Sequence, residues 1–338
     1  MSMKTMAALA LAVLTLAGLT GCASTIPDVK RDAPVSSAML EEATFMVNST
    51  RQTNALLYRL GAAAADQCTT TDAAHRAPFS LLFNGANPSE ELRTAIYKVA
   101  GVAELPLLQT HVPELKAYEG ARVRTINRQA TGNINKVYAA LRTAFEKNDR
   151  LELVLDDGRS LSTVPTAACP SFVLTDYSGK LKEAFNNFNG TEVTPRSWLQ
   201  LAHTEDERAF ILARSIYFTG ADGDPKLRHA FYGGSAASGI LNGLTFGLGT
   251  LVADPKQIAV RMRRSANRSD ADAFALTVMR RAGFDPQAAL RFARRSIDEG
   301  SAWPHEADEL KFDADRLAEL QRSLAPGAVI ARPSSYSK

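Results

Sequence analysis

The chain has 338 residues, of which 45% are hydrophobic and 22% are charged, as is usual for a globular protein of about two domains. Its formal net charge of +3 is too small for a protein whose partner is nucleic acid, and no basic run is interleaved with aromatic residues. Composition therefore excludes a nucleic-acid-binding protein, and the function has to be sought in motifs.

The first residues have the pattern of a secretory signal. Lys4 is followed by an uncharged run that is short for a membrane span and runs into the sequence LTGC at residues 19–22. This sequence resembles the lipobox of bacterial lipoproteins, in which the cysteine becomes the lipidated N-terminus. The resemblance implies a signal peptide over residues 1–21 and a lipid anchor on Cys22. Because Ala23 rather than aspartate follows, it also implies the outer membrane, facing the periplasm. A chance cysteine after an apolar run is the alternative.

A tether and a helical segment are predicted after the signal peptide. The tether covers residues 22–37, where Pro27 and Pro34 lie among polar residues without periodicity. Apolar periodicity and turn residues then predict an N-terminal segment over residues 38–100. Its predicted elements are a helix over 38–67, a strand over 79–83 and a helix over 88–100.

Two cysteines remain once Cys22 carries a lipid. Cys68 follows the first predicted helix, and Cys169 lies a hundred residues further on. Because an even pair in an oxidising compartment usually forms a disulfide, we predict a bond between them. It would tie the N-terminal helix to the start of the last domain.

Residues 101–166 change to short strands around one helix. The clearest element is a hairpin, whose strands alternate apolar and polar residues on either side of the turn Asp156-Asp157-Gly158. The pattern predicts a small α+β module. Its predicted elements are strands over 101–108 and 121–127, a helix over 135–147, and hairpin strands over 150–155 and 159–164.

A strand and a central helix are predicted next. Residues 190–196 form the strand, and Pro195, which has no N–H to donate, places it at the edge of a sheet. The helix covers residues 204–218 and is apolar around most of its circumference, as is typical of a buried helix. Thr204 and Glu207 predict a capping box at its start. Amphipathic helices follow over 286–299 and 307–324, the second with a charged face that predicts contact with solvent.

The central helix resembles the core helix of peptidase family forty-eight, the HtpX-like zinc metallopeptidases, in their periplasmic lipoprotein branch. That family reads approximately ELAFVLAHExxH where this chain has ERAFILARSIYF, residues 207–218. Two histidines at i and i+4 bind one zinc from one helix face, and the glutamate between them is the general base. The corresponding residues here are Arg214, Phe218 and Ser215.

The downstream landmarks of the family are present as well. Its third ligand, a glutamate, precedes an Ala-Asp pair by three residues, and a Gly-aromatic-Asp-Pro turn follows. The ligand position falls on Arg268, whereas the landmarks match at Glu207, Ala271, Asp272, Gly283, Asp285 and Pro286. Two guanidiniums, a hydroxyl and a phenyl ring do not make a zinc site. The resemblance therefore implies a pseudopeptidase with no catalytic residue, no metal and no cofactor.

The resemblance also implies an architecture. It predicts an α+β fold with a mainly helical, zincin-like (gluzincin) domain over residues 167–325, whose short sheet has an edge strand. The module over 101–166 resembles the PDZ-type module of the lipoprotein branch, and a plain α+β insert without a binding function is the alternative. The implied function is the binding of a protein or peptide without cleavage. An active zinc peptidase, or another hydrolase of the envelope with an unrecognised site, is the alternative.

Several features leave alternatives open. Arg214 and Arg268 are expected either to pair with Asp270 or Asp272 inside the fold or to hold an acidic group of a partner. The uncharged, glycine-rich run over residues 231–253 indicates either a membrane segment or a loop beside the cleft.

Two minor features complete the prediction. His203, Glu205 and Glu207 form the one cluster that could bind a metal, although the capping box already accounts for the acids. Residues 326–338 are predicted to be a disordered tail.

Overall fold

The computed structural model describes residues 29–68, 74–84, 89–132, 134–169, 172–176, 185–186, 191–221 and 267–325. These residues form helices and small sheets, so the predicted α+β class is confirmed. The predicted signal peptide with Cys22, the glycine-rich run and the predicted tail lie outside them.

Two helices, α1 over Ser37–Ala63 and α2 over Glu90–Ala100, form the N-terminal segment. The hydroxyls of Ser36 and Ser89 cap them, since each accepts a hydrogen bond from the backbone N–H three residues later. The first half of α1 packs against α2, and its second half packs against the helices of the last domain. Helix α1 therefore connects the core of the N-terminal segment with the core of the last domain.

Residues 29–36, which precede the first helix, already pack against the N-terminal helices. Val29 is buried, and Lys98 of α2 donates a hydrogen bond to the Ala33 carbonyl oxygen at 2.8 Å. The tether predicted over residues 22–37 is therefore wrong for residues 29–36. Side chains of later elements hold this stretch, and its own composition does not reveal them.

The predicted disulfide between Cys68 and Cys169 is confirmed. A short 3₁₀ turn over Ala65–Gln67 follows α1 and brings the Cα atoms of the two cysteines to 5.4 Å. The Cys169 N–H also donates to the Gly61 carbonyl oxygen at 2.8 Å. Two short antiparallel strands pair beside this junction, namely β1 over Ala74–Arg76 and β8 over Thr166–Ala168.

The middle of the chain contains two antiparallel sheets and one helix, α3 over Ile134–Lys147. The hairpin predicted around Gly158 is present, and the buried residues of its first strand alternate with exposed ones. The smaller sheet pairs β2, Phe79–Leu82, with β3, Leu107–Thr110. The larger sheet has the order β5, Gln129–Ala130, then β4, Val123–Ile126, then β6, Leu151–Leu155, then β7, Ser160–Thr163.

Two expectations for this region are wrong. The strand predicted from residue 101 starts only at Leu107. Gly101 belongs to the end of α2 instead, which it terminates in the left-handed conformation with a φ of 71°. The predicted boundary between residues 100 and 101 does not separate two packed units either. Phe79, from the predicted N-terminal segment, shares one apolar core with Leu153 of the predicted module, because β2 pairs with β3.

The last domain begins with three strands, β9 over Phe172–Asp176, β10 over Phe185–Asn186 and β11 over Thr191–Pro195. Strand β11 pairs with β10 on one side and with β9 on the other, so the predicted edge strand is wrong. In the described residues, pairing with β10 ends at Val193, so the missing N–H of Pro195 interrupts no bond seen on that side.

Helices form the rest of the last domain. The helix over Glu205–Ile216, α5, extends into a π-helical turn over Tyr217–Ala221. The predicted helix over 307–324 is two elements, because the helix proper begins only after Asp313, whose carboxylate caps it. No helix among the described residues is both long and apolar enough to cross a bilayer. The helices are α4, Arg196–Gln200, α5, Glu205–Ile216, α6, Arg268–Arg281, α7, Gln287–Glu299, and α8, Ala314–Leu324.

Candidate functional site

The start of α5 is fixed by the predicted capping box and by a residue that the motif does not reveal. The Thr204 hydroxyl accepts from the Glu207 N–H at 3.2 Å, as a capping box requires, whereas the Glu207 carboxylate accepts from the N–H of His203, one residue before the cap, at 2.7 Å. Glu207 is only 2% exposed, and Arg295 of α7 donates two hydrogen bonds of 3.0 Å to its carboxylate. Both oxygens of Glu207 are therefore engaged, and the carboxylate is not directed at a metal with His203 and Glu205.

The positions at which the resemblance places the zinc motif all lie inside the protein. Arg214 and Ser215 are each 1% exposed, and Phe218 is 6% exposed. The Ser215 hydroxyl donates to the Ile211 carbonyl oxygen one turn earlier, at 3.3 Å. The Phe218 ring packs edge-on against the ring of Tyr217. This face of α5 is therefore a packed interior.

Arg214 forms an ion pair with Asp272 of α6, at 2.8 Å between Nε and Oδ1. Asp272 also accepts two hydrogen bonds from Arg316 of α8, one from Nε at 2.7 Å and one from Nη2 at 2.9 Å. The carboxylate of Glu309 lies 3.6 Å from Arg214 Nη2. The ion pair expected inside the fold is confirmed for Arg214, with Asp272 as its partner.

Arg316 is held on every side. Its Nη1 donates to the carbonyl oxygens of Glu309 and Lys311, at 3.0 and 2.9 Å, and its guanidinium lies 3.8 Å from the centre of the Phe312 ring. It is 7% exposed, so the solvated face predicted for this stretch is wrong at Arg316. The alternating charges of the sequence do not distinguish Arg316 from its exposed neighbours, and only the packing of α8 on α6 does.

The four charged groups of this cluster balance. Arg214 and Arg316 supply two positive charges, and Asp272 and Glu309 supply two negative charges. Buried charges are tolerated when each has an opposite charge beside it, and the Arg316–Asp272 pair is hydrogen-bonded as well. We call the four residues the buried ion cluster, and it joins α5, α6, α8 and the turn that carries Glu309.

Zinc does not fit these residues. A guanidinium has no free lone pair and keeps its positive charge at any pH at which proteins fold, and a phenyl ring is not a ligand. Asp272, the one carboxylate next to Arg214 that lies on α6, is already engaged by both arginines. Among the described residues no group of three His, Cys, Asp or Glu side chains is placed to hold a metal.

Arg268 differs from Arg214. It is half-buried at the first residue of α6, and it forms no ion pair with Asp270, Asp272 or any other residue that the structure describes. Its Nε is buried without a hydrogen-bond partner in the described part of the chain. The structure therefore connects only one of the two predicted arginines to the buried ion cluster.

The remaining landmarks shape the packing of the helices. Gly283 has a φ of 75° and ends α6, and the Phe284 N–H donates back to the Met279 carbonyl oxygen at 2.9 Å. The Asp285 N–H donates to Asp206 of α5 at 3.1 Å, while its own carboxylate accepts from the Gln287 N–H at the start of α7. Pro286 begins the turn into α7, and Ala271 is fully buried next to Asp272. Comparison of the chain with protein-family models, with curated proteins and with solved structures finds no match in any of the three.

Proposed function

We propose that this chain is a lipid-anchored protein of the bacterial cell envelope whose zincin-like domain binds a protein or peptide and does not cut it. The observation that carries the proposal is the Arg214–Asp272 ion pair, which fills the position of the first ligand in the zinc motif. A hydrolase that depended on this motif would need a metal and a base at the place where the chain has a buried, neutral cluster.

The loss of the base supports the same proposal. Ser215 stands where the family has its glutamate, and its hydroxyl is buried and donates to a backbone carbonyl. A hydroxyl does not take a proton from water at neutral pH, whereas a carboxylate does. Both parts of the zinc-peptidase mechanism, the metal that polarises the bond and the base that activates water, are therefore replaced.

The sheet of the last domain is the place where the resemblance puts bound peptide, but β10 covers β11 along Glu192 and Val193. A peptide cannot add to that edge of β11 without displacing β10. The PDZ-like module is the other binding element that the resemblance implies, with a plain α+β insert as its alternative.

The proposal that the chain does not cut its partner is tested by the zinc content of the purified protein and by its action on an unfolded protein. We expect neither bound zinc nor cleavage.

The proposed lipid anchor makes its own prediction. The variant Cys22→Ser lacks the thiol that accepts the lipid, so we expect it to keep its signal peptide and to disappear from the outer-membrane fraction. Labelled palmitate should enter the unaltered protein and not the variant. The substitution Ser24→Ala, two residues further on, is the matched control and should leave labelling and fractionation unchanged. Normal processing of Cys22→Ser would contradict the lipoprotein proposal.

A further inference from the structure

A cleft of about 470 Å³ lies where three parts of the chain meet. Helix α1 forms one wall, the residues from β3 onward form the second, and the start of α5 forms the third. Its volume lies within the usual range for small-molecule sites. The residues that matter for its chemistry are Arg51 and Arg59 of α1, Gln109, His111 and Glu119 of the second wall, and Arg208 of α5.

Gln109 supplies a buried donor that the protein leaves unused. The residue is 3% exposed, and its Oε1 accepts from the Ser80 hydroxyl at 2.9 Å and from Asn54 Nδ2 at 3.5 Å. Its Nε2 is buried and has no hydrogen-bond partner among the described residues. A buried N–H group without an acceptor is unfavourable, so this arrangement is expected where a ligand supplies the acceptor.

Two arginines add further donors to the same cleft. The Nε atoms of Arg51 and Arg208 are both buried, and neither has a hydrogen-bond partner in the part of the chain that the structure describes. Arg208 donates through Nη1 to Gln52, a neutral residue, and Arg51 has no ion pair with any described residue. These guanidiniums are therefore not neutralised by the described part of the protein.

The acids of the cleft are already engaged. Glu205 pairs with Arg59 at 3.3 Å, and Arg59 also donates to the Ala282 carbonyl oxygen. Glu119 accepts from both the N–H and the hydroxyl of Thr110, at 2.7 and 2.6 Å. Thr110 is neutral, so Glu119 keeps its negative charge, but the three arginines Arg51, Arg59 and Arg208 outnumber the two acids and leave the cleft with a net positive charge to attract an anion.

His111 adds no positive charge to the cleft at pH 7. Burial lowers the pKa of His111 to about 4, although the nearby charge of Glu119 opposes this shift. The imidazole is therefore neutral at pH 7, and its buried Nδ1 lacks a partner among the described residues. It offers the cleft a polar contact without a charge.

From these contacts we propose that the cleft binds a small ligand with an oxyanion group, a carboxylate or a phosphate. Arg51 and Arg208 supply the positive charge, and Gln109 Nε2 supplies a neutral donor. Charge-assisted hydrogen bonds from guanidinium to carboxylate or phosphate are the strong class of such bonds, which suits a site that leaves two Nε donors unpaired. This site is separate from the buried ion cluster, so the proposal does not depend on the peptidase resemblance.

The experiment titrates the purified full chain with succinate and, separately, with inorganic phosphate by calorimetry at low ionic strength. We expect one of the two anions to bind with one site per chain, and which one binds tells a carboxylate site from a phosphate site. Succinamide, which has the shape of succinate without its charge, should not bind. No binding of either anion to the unaltered protein would overturn the proposal.

Substitutions identify the site. We expect Arg51→Gln and Arg208→Gln each to weaken binding about tenfold or more, since each removes a charged donor. Gln109→Glu should abolish binding, because it keeps the acceptor used by Ser80 and puts a negative charge where Nε2 stood. The matched control is Arg291→Gln, which removes the same charge from an exposed pair on α7. Equal losses in Arg291→Gln and in the cleft variants, or full binding by Gln109→Glu, would contradict the proposed site.

Discussion

Replacement of Asp272 with alanine is expected to lower the free energy of unfolding by about 3–5 kcal/mol. Asp272 is 3% exposed, and its carboxylate forms ion pairs with both Arg214 and Arg316. Without it, two buried guanidiniums face each other without the carboxylate between them, and only Glu309 is left to offset their charge. Denaturant titration of the purified variant measures the loss.

Two variants control this result. Asp270→Ala removes an exposed carboxylate from the first turn of the same helix and should cost less than about 1 kcal/mol. Asp272→Asn keeps the shape of the side chain and one acceptor oxygen, so its stability should lie between that of Asp272→Ala and that of the unaltered protein. If Asp272→Ala were as stable as Asp270→Ala, the buried ion cluster would not hold α5, α6 and α8 together.

Removal of the disulfide should have an effect of similar size. Cys68 and Cys169 are 101 residues apart, and the bond closes this long loop in the unfolded chain as well as in the folded one. We expect the free energy of unfolding of the double variant, Cys68→Ala with Cys169→Ala, to fall by about 2–5 kcal/mol, mainly because the unfolded chain gains conformational freedom. Alanine is the suitable replacement because Cys169 is fully buried among apolar residues.

The reductant provides the control for the disulfide. Addition of a thiol reductant should lower the melting temperature of the unaltered protein toward that of the double variant and should leave the variant unchanged. The denatured, unreduced mature protein should contain no free thiol at these positions. Two free thiols per chain in that sample would contradict the bond.

Local signals in the sequence predict the parts of the fold that depend on neighbouring residues. Thr204 and Glu207 predict the start of α5, because a cap involves residues one turn apart. Asp156-Asp157-Gly158 predicts the hairpin, since Gly158 has a φ of 84° that few other residues tolerate. The apolar circumference of residues 204–218 likewise predicts a buried helix.

The parts that the sequence does not reveal depend on distant residues. Pro195 suggests an edge strand, yet β11 is central because β10 pairs with Glu192 and Val193, and in the described residues this pairing does not extend to the proline. Arg316 and Arg295 belong to charged stretches typical of exposed helices, yet each of them forms an ion pair with a buried acid on another helix. The unpaired donors of the cleft lie on three separate elements, so no single stretch of sequence indicates an anion site.

The zinc content of the purified protein tests the central claim most directly. Arg214, Ser215 and Phe218 lie where the resemblance places the zinc motif, and Arg268 lies where it places the third ligand, so zinc has no suitable ligand at these four positions. After incubation with zinc and dialysis, elemental analysis should find no stoichiometric zinc, and an unfolded protein chain should remain uncut by the same sample. About one zinc retained per chain, together with new peptides from that substrate, would contradict the account.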